Sequence, residues 1–155
     1  MTQSLYVANT LIHRAKNDYT NLTHLKLQKL VYFVYARFLA LANKPLFADR
    51  FEAWKLGPVL SGLYHIFKNY DNANITELVP SIIDGKILIL IEEGDFGKAF
   101  NDVWSKYGYY QARDLVNLTH EEGSAWSIAV VNNVFGGFLN DEYIRKDGER
   151  WFSSH

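Results

Sequence analysis

The sequence predicts a mainly α protein: a single compact helical domain over residues 1–155, with a small two- or three-stranded β element around 51–56 and 86–91. Three observations lead there. Apolar residues recur at helical spacing through most of the chain. Cap and stop residues punctuate those stretches. Two short runs bounded by Gly, Pro or acidic residues read as extended segments instead. With 155 residues, 48% of them apolar and 15% aromatic, the chain suits one core and is too apolar to stay disordered.

The elements follow in order. Ser4 is placed to cap a first helix whose apolar face is Leu5, Ala8, Leu11, Ile12 and Ala15. Residues 17–21 are polar and link it to a long helix capped by Thr23. There Leu25, Leu27, Leu30, Val31, Val34, Phe38 and Leu41 recur too densely for one narrow stripe, which predicts burial on more than one side. Pro45 disfavours helical angles at Lys44 and stops it. Residues 51–56 read as extended, and Gly57-Pro58 turns the chain into a helix that Pro58 opens and that ends near Tyr70. Five consecutive aliphatics, 87–91, lie between Asp84-Gly85 and Glu92-Glu93-Gly94 and read as a buried strand. Its partner is either 51–56 or the other arm of a hairpin about Asp84-Gly85.

Asp95 is the expected cap of the next helix, with Phe96, Ala99, Phe100, Val103, Trp104 and Tyr107 on its apolar face. Gly108 would end it through left-handed backbone angles. A short helix over 110–117 uses Ala112 and Leu115. Thr119 and Glu122 have capping-box spacing, an apolar helix over 126–135 stops at Gly136-Gly137, and Asn140 or Asp141 opens the last helix. Gly148 is expected to weaken that helix by roughly 1 kcal/mol relative to Ala.

Composition narrows the function. The formal net charge of −1, with no recognisable helix-turn-helix, argues against nucleic-acid binding. The chain has no cysteine, which excludes disulfides, thiol catalysis and cysteine metal sites. No secretory signal or run of about 20 apolar residues is present, so a cytoplasmic location is expected. Cofactor and metal motifs are not found either. No two histidines stand at i, i+4, and His120-Glu121-Glu122 lacks the second histidine of a zinc-protease helix. The serines sit in no nucleophile elbow, and Asp49 with Glu52 reads as surface solvation rather than an acid–base pair.

The richest constellation is Lys29, Tyr32, Glu52, Trp54, Pro58 and Tyr64. Lys29 and Tyr32 stand three apart on a helix, and Glu52 and Trp54 share one face of an extended segment. A Lys29–Glu52 ion pair against Trp54 would dock helix to strand. The alternative is a recognition patch, because Tyr and Trp are enriched where partners bury surface.

These residues carry a resemblance. Thr23, Leu27-Gln28-Lys29-Leu30 with Tyr32, Pro45-Leu46-Phe47, Glu52-Ala53-Trp54, Gly57-Pro58, and Tyr64 with Phe67 form one block. Leu118-Thr119-His120-Glu121 with Trp126 forms a second. In that order they resemble the Panacea domain, the SocA-like group also described as phage-associated or GepA-like proteins. One departure is Ala125, where the family pattern places Pro before the Trp. The resemblance implies an antitoxin without catalytic residues that binds a cognate toxin directly. It also implies a related mode in which the domain delivers the toxin to a Clp-type protease. On this reading Lys29, Tyr32, Glu52, Trp54, Pro58, Tyr64, His120 and Trp126 are motif or partner-binding residues. The rival class is a small hydrolase or nucleotide-handling enzyme, which would show a concave pocket with converging titratable groups.

Overall fold

The computed structural model of the chain describes residues 1–132 and 134–153. Among these are seven α-helices, one of them a long central rod. They are α1 (Ser4–Asn17), α2 (His24–Ala42), α3 (Ser61–Phe67), α4 (Gly94–Tyr107), α5 (Ala112–Thr119), α6 (Ala125–Val131) and α7 (Asp141–Arg150). A short antiparallel pair, β1 (Glu52–Trp54) and β2 (Gly57–Val59), lies between α2 and α3. The expected mainly α architecture is therefore what forms.

The rod is α2. Thr23 caps it by accepting from the Lys26 amide, and Asn43 closes it in the left-handed region at φ 54°. From Lys26 to Ala36 every side chain is buried, because α1, α3, α4, α5, α7 and β2 all pack around it. The dense apolar pattern predicted burial on more than one side, and this packing is its cause. Phe33 meets Tyr107 of α4 at 5.1 Å and Trp151, just beyond α7, at 4.8 Å.

The tightest crossing is with α7. A Cβ on Gly148 would sit 2.0 Å from the Ala36 carbonyl oxygen, so the two backbones touch there. Gly148 is thus not a weak point in its helix. It is what lets α7 reach α2. Gly108 likewise ends α4 without left-handed angles (φ −58°), and its missing Cβ leaves room for the Trp104 ring.

Several boundaries differ from expectation for local reasons. Ser4 lies inside α1 and hydrogen-bonds Asp49, while Gln3 precedes the helix. Pro58 belongs to β2, and α3 starts at Ser61. Asp95 sits in the first turn of α4 rather than at its cap. Thr119 donates back to the Val116 carbonyl instead of capping forward, and Ser124 caps α6 through the Ser127 amide. The capping box occurs one helix earlier, at Gln111 and Asp114. Helix α6 ends at Val131, and the part of the longer expected helix that falls on Asn133 lies outside the described residues.

The largest correction concerns 86–91, which form neither a buried strand nor a partner of 51–56. Both edges of β1 are already occupied. One pairs with β2 in the register Glu52↔Val59, Ala53↔Pro58, Trp54↔Gly57. The other receives 136–139, where the Ala53 amide donates to Gly137 O at 2.9 Å and the Leu139 amide to Phe51 O at 2.8 Å. The turn at Asp84-Gly85 does form, closed by the Ser81 amide on Lys86 O, yet no hairpin grows from it. Instead 75–91 run over α1, held by side chains. Asn9 pairs with both the amide and the carbonyl of Val79, and Tyr6 donates to Asp84.

Candidate functional site

The two motif blocks meet where β2, α2 and the end of α5 converge. Lys29 is fully buried, and its Nζ donates to the Pro58 carbonyl at 2.8 Å. The expected Lys29–Glu52 ion pair is not formed. The strand lying against α2 is β2 rather than β1, so a carbonyl meets the amine. Glu52 is half-buried and accepts from the Trp54 indole N–H at 3.2 Å instead. Burial pushes the Lys29 amine down to about 7, which is the cost of removing an ammonium from water with no carboxylate beside it.

Gly57 makes this approach possible. It holds φ +110°, and a Cβ there would stand 2.6 Å from Thr119 Oγ1 and 2.9 Å from Lys29 Cε. An L side chain is disfavoured at that angle and would also collide. Next to Thr119, His120 stacks flat on Trp126 with ring centroids 3.8 Å apart and planes within 5°. Its Nε2 is buried and has no hydrogen-bond partner among the described residues. Burial first, and then Lys29, lower the His120 imidazole below its ordinary value, so the ring is held neutral.

From Trp126 an aromatic chain crosses to the hairpin. The Trp126 indole N–H donates to the Trp54 carbonyl at 2.6 Å, and the Trp54 ring meets Tyr64 edge-on at 4.9 Å. Tyr64 in turn lies 5.4 Å from His24. Trp54, Tyr64 and Leu56 with His24, Gln28 and Asp71 line a shallow groove of about 380 Å³. Trp54, Tyr64, His120 and Trp126 are each half-buried.

Tyr32 belongs to a different set of contacts. Its fully buried hydroxyl donates to Asp147 of α7 at 2.6 Å, and its ring stands edge-on to Phe51 at 5.0 Å. Asp147 also accepts from the Ala125 amide at 3.2 Å and from Arg150 at 3.2 Å. Burial raises its carboxyl to about 6 against the pull of these donors. Ala125 stands at the first position of α6, where proline is well tolerated. Alanine keeps the N–H that Asp147 uses, which gives the departure from the family pattern a structural consequence here.

Sequence reasoning missed Asp147, Phe135 and Phe138. A lone acid in a polar helix gave no signal, although its i, i+3 spacing to Arg150 was visible. Phe135 and Phe138 flank the Gly136-Gly137 turn and are 60% and 54% exposed. Phe135 sits edge-on to Trp126, and the Arg50 guanidinium covers Phe138 at 4.4 Å, extending the aromatic surface past β1. No group of three or more His, Asp or Glu side chains that could hold a metal ion occurs among the described residues. None of their helices is long and apolar enough to cross a membrane.

Known proteins name the same family. The family described as "Antitoxin SocA-like, Panacea domain" matches residues 27–127. The chain is similar to "Antitoxin SocA" of Caulobacter vibrioides (strain NA1000 / CB15N), 32% identical over 126 residues, which is 79% of this chain and 67% of that protein. No solved structure matches the chain. The span that matches, 27–127, contains most of α2, the hairpin, α5 and Trp126, and the chain belongs to the SocA-like antitoxin family, the Panacea domain.

Proposed function

We propose that this chain neutralises a cognate toxin by binding it directly, and that the aromatic face around Trp54, Tyr64, Trp126, Phe135 and Phe138 is where the toxin sits. One observation carries this reading. Phe135 and Phe138 stay exposed beside the half-buried Trp54, Tyr64 and Trp126, and the set is held together by the Trp126 hydrogen bond to Trp54, by edge-on ring contacts and, at Phe138, by a backbone bridge to Glu52. Rigid, half-desolvated aromatics lose little entropy on binding and are typical hot-spot residues. The titratable groups beneath them serve architecture. Lys29 holds a carbonyl and Tyr32 holds Asp147, so a non-enzymatic role fits this arrangement better than catalysis.

The test is growth rescue and co-purification with the product of the neighbouring toxin gene. The complex is expected to have a Kd of about 1 nM, roughly −12 kcal/mol. Leu56→Glu and Phe138→Glu change exposed side chains and should each weaken binding by about 30-fold or more, as loss of a hot spot does. Full rescue and unchanged affinity in the double variant would remove this face from consideration. Delivery of the toxin to a Clp-type protease starts from the same complex. It would show as a shortened toxin half-life that depends on the protease.

A further inference from the structure

We propose that residues 87–91 form the contact between two copies of this chain, as a self-paired antiparallel strand centred on Ile89. The backbone alternation carries it. One polar group each of Leu88 and Leu90 is turned to α1, and Lys86 is held within the preceding turn. Lys86 is held by Ser81 and Asp84, the Leu88 carbonyl accepts from Asn9, and the Leu90 amide donates to Thr10 at 2.9 Å. Ile87 and Ile89 turn theirs away, and among the described residues neither amide nor carbonyl of either has a partner, nor has the Ile91 amide. That is an edge anchored on one side at two points by α1 side chains and open on the other.

The side chains on this edge are apolar and in water. Ile87, Leu88, Ile89 and Ile91 are 54%, 43%, 42% and 74% exposed, and Ile82 and Ile83 on the adjoining turn are 98% and 79% exposed. Proteins normally blunt such an edge with Lys, Pro or a bulge inside it. Here the charges stand only at the two ends, Lys86 before and Glu92 after.

Those ends identify the occupant. In an antiparallel pairing of the segment with itself about Ile89, Ile87 faces Ile91, Leu88 faces Leu90, and Lys86 of each copy faces Glu92 of the other. Every apolar residue meets an apolar one, and both ends place opposite charges together. Glu92 also pairs with Arg14, which holds it at the end of the strip. The outward groups fall in register as well. Each copy's Ile89 N–H donates to the other's Ile89 carbonyl, and each Ile91 N–H reaches the opposing Ile87 carbonyl. A two-fold axis through Ile89 closes the assembly at a dimer.

The experiment uses the whole chain. Sedimentation up to about 100 μM, where a micromolar dimer is saturated, should show a dimer. Ile89→Pro removes only an unpartnered N–H in the monomer, so it should keep the helical circular dichroism signal and give a monomer. The chain has no cysteine, which allows a test of register. Ile89→Cys places two thiols on residues about 5.5 Å apart, within disulfide reach, and should crosslink under mild oxidation. Ile87→Cys separates them by four residues, about 13 Å, and should not. A wild-type chain that stays monomeric throughout overturns the proposal, as does equal crosslinking by the two variants. A monomer whose toxin binding is abolished by Ile89→Pro overturns it too and assigns the edge to the toxin.

Discussion

Lys29 offers the sharpest test of the structure, because its burial without a carboxylate makes a pH dependence that no surface group can imitate. The amine stands at about 7 in the folded chain, against 10.5 ordinarily. Below pH 7 both folded and unfolded chains carry the proton, and the folded state bears the whole cost of burying the charge. Between 7 and 10.5 the folded amine is neutral while the unfolded chain still binds a proton, so stability rises with pH. Integrating between pH 7 and 9 gives about 2 kcal/mol. Lys26, lowered by burial, adds in the same direction but does so equally in wild type and variant, and the remaining shifted groups stay quiet in that window. The His24 and His120 imidazoles are lowered and already neutral, Asp147 near 6 is largely ionised, and Tyr32, Tyr35 and Tyr107 are raised and remain protonated. The assay is urea unfolding at pH 7, 8 and 9 for the wild type and for Lys29→Met. Methionine keeps the length of the side chain and removes the titration. Its loss of the bond to Pro58 is an offset that does not vary with pH. The wild-type free energy should gain about 2 kcal/mol on the variant across the window. Parallel curves would refute the assignment of Lys29 as a buried, unpaired amine.

Other outcomes follow from single contacts. Gly148→Ala adds a favourable helix former in sequence terms, yet its Cβ would lie 2.0 Å from the Ala36 carbonyl oxygen. It should destabilise by about 3 kcal/mol and lower the melting temperature by roughly 10 °C. Gly57→Ala combines φ +110° with a 2.6 Å approach to Thr119 Oγ1 and should cost about 2–4 kcal/mol. Adding Thr119→Ala should recover about 1 kcal/mol of that, measured as non-additivity in a double-mutant cycle. Asp147 is raised from 3.8 to about 6, so its folded form prefers the proton and stability falls as pH climbs through that interval. Relative to Asp147→Asn, the wild type should lose about 2 kcal/mol between pH 4 and 7, read from denaturation at both ends.

The two blocks of motif residues were legible because each rests on local rules. Thr23 before an apolar run reads as a cap whatever lies around it, whereas Gly57-Pro58, which reads as a turn by the same kind of rule, lies in β2 with the turn just before it at Lys55-Leu56. The same locality explains the errors. Five aliphatics at 87–91 look like a core strand, but a strand needs a free edge to join, and 136–139 had taken the one β1 offered. Gly148 looks like a flaw in a helix until α2 is placed against it. Lys29 and Glu52 look complementary by charge, and only the strand order puts the Pro58 carbonyl where the carboxylate was expected. Asp147 gave no signal, since its partners Tyr32 and Ala125 lie on other helices, far along the chain.

By itself the sequence determined the helical class, the central helix and its caps, and the ordered residues that place the chain among SocA-like antitoxins. Periodicity, capping and turn chemistry act over a few residues, so they can be read without knowing what packs where. Tertiary structure alone decided which strand faces Lys29, which glycines are contact points, and which aromatic and aliphatic residues are left in water. Those outcomes depend on competition between distant segments for the same edge or the same cavity. No local pattern records who wins that competition.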